Sequence, residues 1–211
     1  MLIRSWDRGD EQEWRDWLAG RDFGLLSANN PDGGPVLVPT HFLLDGAEIL
    51  LHLAAPNPLF TAVRADPRVT LAVTDDYAFA PGTWRASATP TSYYASVQFD
   101  CTAEILDGPA EKAEVLNRQL DHFQPETPDV RVVPGEKPYG PMLSGIRGLR
   151  LTVRQVRAKF KYDDKLPVEQ QAAAGDRLAE RGAPGDAAAR EQLLRRLGRR
   201  GGCPVTEPAR G

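Results

Sequence analysis

Cysteine and histidine are scarce in this chain of 211 residues, which contains two cysteines and three histidines. Two cysteines are too few for a disulfide framework, and neither Cys101 nor Cys203 has a second cysteine or a histidine at zinc-site spacing. No apolar run approaches the ~18 residues of a membrane span, and the first residues lack the apolar core of a signal peptide. These absences predict a cytoplasmic protein with reduced thiols and no structural zinc.

The chain also has little excess charge, with a net charge of −3 from 26 basic and 29 acidic residues. Such a weak and mixed charge gives no electrostatic signature for nucleic acid or for a membrane surface. Four arginines cluster near the C-terminus: Arg195, Arg196, Arg199 and Arg200. No helix-turn-helix pattern accompanies them, so we interpret the cluster as a solvated helix end. We expect neither direct DNA binding nor membrane binding.

Common nucleotide and hydrolase motifs are missing as well. The sequence contains no GxGxxG, GxxxxGK[ST], GxSxG or HExxH. Rossmann, P-loop, α/β-hydrolase and zincin interpretations therefore lose their usual support. What remains is a pattern of strands and turns.

The clearest pattern is the alternation of apolar and polar residues from Ala95 to Ile105, which predicts a long strand with one buried face. Shorter strands are predicted at 23–28, 36–45, 47–53, 68–74 and 149–154. Asp45-Gly46 favours a tight hairpin turn, and short turns join antiparallel neighbours. The sequence therefore predicts a mainly β protein with peripheral helices (α+β), its strands forming an antiparallel closed or split β-barrel.

Helical spacing and composition divide the rest of the chain. Amphipathic helices are predicted at 10–18 and 109–123, and alanine-rich segments follow at 168–181 and 186–197. Residues 75–90 are predicted to form a loop, which holds no motif that identifies a substrate. We expect a split-barrel domain at 1–165, a C-terminal helical appendage at 166–200 and a disordered tail at 201–211.

The stretch from Ile49 to Phe60 combines a strand that carries His52 with a helix start at Asn57-Pro58. Asn is a favoured N-cap and Pro a favoured first helical residue, so this turn is either an anion or cofactor seat or an ordinary connection. His41 is predicted on an antiparallel strand next to that of His52. Both histidines either satisfy barrel hydrogen bonds or contact a ligand, whereas His122 is predicted at the surface.

Two further groups suit a phosphorylated planar cofactor. Thr91, Ser92, Tyr93 and Tyr94 place hydroxyls and aromatic rings at the start of the long strand, although a turn entering a strand has the same composition. Lys159 and Lys161 would point to one side of an extended chain. They supply charge for a phosphate or form a solvated basic pair.

Four motifs carry a resemblance to a known family: THF at 40–42, HLAAPNP at 52–58, PTSYYASV at 90–97 and AKFK at 158–161. In this order they resemble the PaiB-type FMN-binding negative transcriptional regulators. The resemblance implies a flavin-type split β-barrel related to pyridoxamine 5′-phosphate oxidases, acting as a homodimer with FMN between subunits. It further implies that Asn57, Thr91 and Lys161 hold the phosphate. The flavin ring would lie against Tyr93, Tyr94 or Trp84.

The chain departs from the family pattern after its second lysine, where Asp163 and Asp164 follow Tyr162. Their charge would repel a phosphate unless Lys165 or arginine side chains offset it. Three functions stay open. The first is an FMN protein with an oxidoreductase-like or ligand-sensing role. The second is a haem b enzyme of the piperazate-synthase type with His52 or His41 as axial ligand. The third is a cofactor-free regulator that binds a small molecule.

Overall fold

The computed structural model describes residues 1–201 as one seven-stranded antiparallel sheet with five α-helices, an open split barrel. The strands are β1 (Phe23–Asn29), β2 (Pro35–His41), β3 (Leu43–Asp45), β4 (Glu48–Ala54), β5 (Arg68–Ala80), β6 (Thr91–Leu106) and β7 (Ile146–Lys161). Their order in the sheet is β2-β1-β5-β6-β7-β4-β3. The predicted fold class is confirmed. The predicted disorder and the thiol of Cys203 lie outside the described residues.

Strand β6 has the buried face that its sequence predicts. Tyr93, Ala95, Val97, Phe99 and Cys101 are all buried at alternate positions. Burial raises the pKa of the Cys101 thiol to about 12, so this cysteine is a core residue rather than a nucleophile.

Strand β5 is longer than the sequence predicts, because residues 75–80 continue it instead of forming a loop. The buried positions change phase along the strand, from Val69, Leu71 and Val73 to Asp76 and Ala78. Asp76 has a φ of 55°, in the left-handed region. One extra residue with such a φ produces this phase change, as in a β-bulge. A sequence search for strict alternation therefore stops at Thr74.

The helices are α1 (Glu11–Leu18), α2 (Leu59–Ala65), α3 (Pro109–Phe123), α4 (Val168–Arg181) and α5 (Asp186–Gly201), and short 3-10 turns occupy Ser5–Asp7, Gly82–Trp84 and Gly140–Gly145. Helix α3 places Val115 against Leu50 and Leu106 of the sheet. The bounds of α3 agree with the helix predicted at 109–123. None of the helices within residues 1–201 has both the length and the apolar character of a membrane span.

The chain forms two compact units. The first contains 1–14, 74–96 and the described part of the C-terminal segment from 158 onward, and the second contains 15–73 and 97–157. Strands β5, β6 and β7 each run through both units. Candidate site residues occur in both units.

Candidate cofactor site

The first unit contains a cleft of about 510 Å³ that is rich in cations. Its charged lining consists of Arg4, Arg85, Lys159, Lys161 and Lys165, with Asp7 and Asp163 as the acids. Trp6, Thr91, Leu2, Thr89 and Pro90 complete the lining. We call this the cationic cleft. Five cations around two carboxylates make it a site for an anion.

Strand β7 positions the two lysines of the cleft. Residues two apart in a strand share a face, and both Lys159 and Lys161 lie over the ring of Tyr94, with their Nζ atoms 5.5 and 5.9 Å from its centroid. The Lys161 Nζ donates to the Thr91 hydroxyl at 2.9 Å, and the Lys159 Nζ donates to the Leu2 carbonyl at 2.9 Å. The shared side predicted for the lysines is confirmed, and Thr91 lies beside Lys161.

The carboxylates that follow β7 are neutralised by arginines. Asp163 accepts from the Arg85 guanidinium at 2.7 Å and from the Tyr93 hydroxyl at 2.9 Å. Asp164 accepts from Arg196 at 2.8 Å. The side chains of Arg85 and Asp163 are 8% and 6% exposed, so their pair is buried. Repulsion between these carboxylates and a phosphate is thus offset by arginines that are distant in sequence.

Arg196 corrects the interpretation of the C-terminal arginines as a solvated helix end. It is 8% exposed and also donates to Glu13 at 2.7 Å, to the Trp6 carbonyl at 2.6 Å and to the Arg8 carbonyl at 3.2 Å. Arg195 on the same helix is exposed. Only part of the cluster is therefore solvated.

The aromatic residues predicted to flank a cofactor differ in accessibility. Tyr93 is fully buried and stacks on Tyr162 with centroids 5.9 Å apart, so it supports Asp163 from inside the core. Burial is the main reason why the pKa of Tyr93 is raised well above its usual value. The Trp84 ring is covered by the Arg181 guanidinium at 4.6 Å. Tyr94 is half-buried beneath the lysines.

Trp6 and Asp7 are among the residues of the cationic cleft that sequence reasoning missed. Both belong to the 3-10 turn Ser5–Asp7, which is too short for any periodic signal. Trp6 is 41% exposed and is the aromatic side chain that lines the cleft within the described residues. Asp7 is only 5% exposed. Ser92 is half-buried outside the cleft lining.

The second unit contains the histidines. The His41 and His52 rings meet edge to face with centroids 5.4 Å apart, and His41 also meets Phe123 at 5.2 Å. Their strands are not neighbours as predicted, since β2 pairs with β1 while β4 pairs with β3 and β7. Strands β2 and β3 lie at opposite ends of the sheet order, and Phe42 connects them. The rings meet because His41 ends β2 at this connection and β3 pairs with β4, which carries His52. His122 is exposed, 3.3 Å from Asp22.

A side chain of α3 contacts the histidine pair. The Nδ1 of His52 lies 2.6 Å from the Oε1 of Gln119, an amide oxygen that accepts a hydrogen bond from the ring. Burial, reinforced by the charge that His52 can carry, lowers the pKa of His41. Within residues 1–201 no group of three or more His, Cys, Asp or Glu side chains could hold a metal ion. A single axial ligand to haem does not need such a group.

Asn57 also belongs to the second unit. Its Oδ1 accepts from the Leu59 N–H at 3.0 Å, but α2 begins at Leu59 with Pro58 as its N-cap, one residue later than predicted. The same bond occupies the oxygen that would otherwise meet a donor. Asn57 therefore lies in a different unit from Thr91 and Lys161, and the structure groups only the latter two in one cleft.

The open seven-stranded antiparallel sheet has the split-barrel fold of the FMN-binding type. The chain belongs to the family described as "Putative FMN-binding domain", whose model matches residues 1–155. No curated protein matches the chain in sequence.

Solved structures of low identity share the fold. The FAD and haem binding protein of Mycobacterium smegmatis is 20% identical with a TM-score of 0.60, over 79% of this chain and 78% of that one. Flavocytochrome Anf3 of Azotobacter vinelandii is 18% identical with a TM-score of 0.57, over 81% and 80%. A conserved hypothetical protein of Mycobacterium tuberculosis is 22% identical with a TM-score of 0.55, over 79% and 94%.

Proposed function

We propose that this protein binds FMN and that the cationic cleft holds the phosphate. The observation that carries the proposal is the pairing of Lys161 with Thr91 beside Lys159. An ammonium and a hydroxyl at one point are the donors that a phosphate dianion requires. Membership of the FMN-binding family supports FMN. The FAD and haem binding protein and the flavocytochrome among the structural neighbours support a flavin.

The residues of the cleft fit the cofactor in charge and in shape. Arg85 keeps Asp163 neutralised, so the net field at the lysines stays positive. Trp6 offers a partly exposed ring, with the Arg4 guanidinium 6.0 Å from its centroid, against which a planar isoalloxazine would lie. The backbone carbonyl of Trp6 accepts from Arg196. When bound, the flavin supplies hydride or electron transfer, either for an oxidoreductase-like reaction or for ligand sensing.

The experiment that tests FMN binding is a titration of the purified protein followed by two signals. We expect a 1:1 complex with flavin absorbance bands and quenched tryptophan fluorescence. Trp6→Phe should lose most of the quenching, whereas Trp84→Phe should keep it, because Arg181 covers Trp84. The proposal would be overturned if the protein, once separated from unbound FMN, is colourless and its tryptophan emission is unchanged.

Haem is the second candidate, and the histidine pair of the second unit is the observation in its favour. The hydrogen bond between the Nδ1 of His52 and Gln119 would orient the ring so that Nε2 can bind iron, as the hydrogen-bond partners of metal-binding histidines do. Haemin titration would then give an intense Soret band that His52→Ala abolishes and Lys161→Met leaves intact. A Soret band unchanged in both His52→Ala and His41→Ala would exclude this site. Loss of the Soret band in His52→Ala but not in Lys161→Met would therefore distinguish haem binding at the histidines from anion binding in the cationic cleft.

We also propose a homodimer, supported by an exposed apolar face on β1 and β2. Phe23, Leu25 and Leu37 are 62%, 38% and 53% exposed. Their register partners are His41, Pro39 and Ser27, so the three side chains lie on one face of the two-stranded edge. Apolar patches of this kind are typical of protein interfaces. Light scattering should give the mass of two chains for the wild type and of one chain for the double variant Leu25→Asp/Leu37→Asp.

A further inference from the structure

Asp7 is a buried acid of the cationic cleft to which the proposed FMN site gives no role. It ends the 3-10 turn Ser5–Asp7, where its backbone N–H donates to the Arg4 carbonyl at 3.0 Å. The residue is 5% exposed, yet it lines the cleft together with the two lysines of β7. A carboxylate at this position competes with any anion that enters.

The charges that face Asp7 come from three parts of the first unit. Lys159 and Lys161 on β7 and Arg196 on α5 favour its ionised form, whereas Asp164 opposes it. Burial outweighs these charges and raises the pKa of Asp7 above its usual value. The other charged groups of the cleft are Arg4, Arg85, Asp163 and Lys165.

Asp7 differs from the other acids near the cleft in its bonding. Asp163 and Asp164 are hydrogen-bonded to arginines. Within residues 1–201 no hydrogen bond or ion pair is formed by the Asp7 carboxylate, and the two lysines donate to neutral oxygens instead. Asp7 therefore acts on the lysines through charge alone, and its ionisation can change without breaking a bond.

We propose that Asp7 is the counter-charge of the cationic cleft and takes up a proton from solvent when a phosphate binds beside Lys159 and Lys161. The inference rests on the proposed function, since it assigns the regulation of the same site. A bound anion is a like charge for Asp7 and disfavours its ionised form. Linkage is reciprocal, so protonated Asp7 strengthens anion binding as much as the anion strengthens protonation. Anion affinity must then fall as the pH rises through the range in which Asp7 titrates.

The test is calorimetric titration with FMN and with sodium sulfate between pH 5 and 8, on wild type, Asp7→Asn and Glu180→Gln. Sulfate keeps its charge over this range, so its pH dependence reports on the protein, whereas the FMN phosphate itself titrates near pH ~6. Glu180 is an exposed acid on α4 outside the cleft lining and controls for net charge. We expect sulfate to bind the wild type and Glu180→Gln roughly tenfold more weakly at pH 8 than at pH 5, the equivalent of one pKa unit.

Asp7→Asn should bind both anions about tenfold more tightly than wild type at pH 8, with a nearly flat sulfate profile. Wild type titrated with sulfate in two buffers of different ionisation enthalpy should show net proton uptake at the acid end of this range, a measurement that does not depend on how the variant folds. Equal sulfate profiles for Asp7→Asn and wild type, or no proton uptake, would overturn the inference while FMN binding stands. Sulfate binding with these effects but no FMN binding would reject only the proposed function. No binding of either anion would reject both.

Discussion

Replacing Lys161 by methionine is expected to weaken FMN binding by about 10- to 100-fold, which corresponds to the loss of one hydrogen bond to a charged group. The Lys161 Nζ already donates to the Thr91 hydroxyl at 2.9 Å, so the ammonium is positioned before the cofactor arrives. Methionine keeps the apolar stem of lysine and removes only the charge and its donors. The dissociation constant from flavin fluorescence quenching measures the effect.

Riboflavin, which lacks the phosphate, separates the phosphate contact from other effects of Lys161→Met. Its affinity should be the same in the variant and in the wild type, because the ring does not depend on the ammonium. Lys137→Met provides the matched control, since Lys137 is exposed in the second unit and does not line the cleft. If Lys161→Met weakened riboflavin as much as FMN, the assignment of the phosphate to this cleft would be wrong.

The elements that sequence predicts well are those with a local periodic signal. Strand β6 alternates over its full buried face, and α3 repeats its apolar residues at helical spacing, so both were predicted in type and position. The same reasoning places Lys159 and Lys161 on one side of β7, which the structure confirms. These features need only the geometry of one element.

The features that the sequence does not reveal depend on pairs that are distant along the chain. Asp163 follows the lysines directly, but the Arg85 that neutralises it lies 78 residues away. Trp6 and Asp7 enter the cleft from a 3-10 turn without periodicity. The meeting of His41 and His52 follows from which strands end the sheet, and alternation alone cannot supply that order.

Arg196 is the side chain whose loss should destabilise the fold most among those discussed. Its pairs with Glu13 and Asp164 are buried, with side chains 10%, 5% and 5% exposed. One oxygen of each acid, Glu13 Oε1 and Asp164 Oδ2, is buried without a hydrogen-bond partner even in the intact pair. Removing the arginine therefore leaves two buried carboxylates without their ion-pair partner.

Arg196→Met is expected to lower the free energy of unfolding at pH 7 by about 3–5 kcal/mol, the usual effect of breaking a buried ion pair on one side. Urea unfolding followed by circular dichroism measures it. Arg195→Met on the same helix is the control and should lose at most about 1 kcal/mol, because its pair with Glu191 is exposed. The triple variant Glu13→Gln/Asp164→Asn/Arg196→Met should recover most of the lost unfolding free energy, since none of the three buried charges of this cluster remains.

The loss in Arg196→Met should also depend on pH. Burial already raises the pKa of Glu13, and Arg196 is the main group that opposes the rise. Without the arginine the pKa of Glu13 rises further above its unfolded value, so protonation stabilises the folded variant as the pH falls. The difference in unfolding free energy between wild type and Arg196→Met should therefore be smaller at pH 5 than at pH 7. A difference that is constant or larger at pH 5 would mean that unpaired carboxylates are not the cause of the instability.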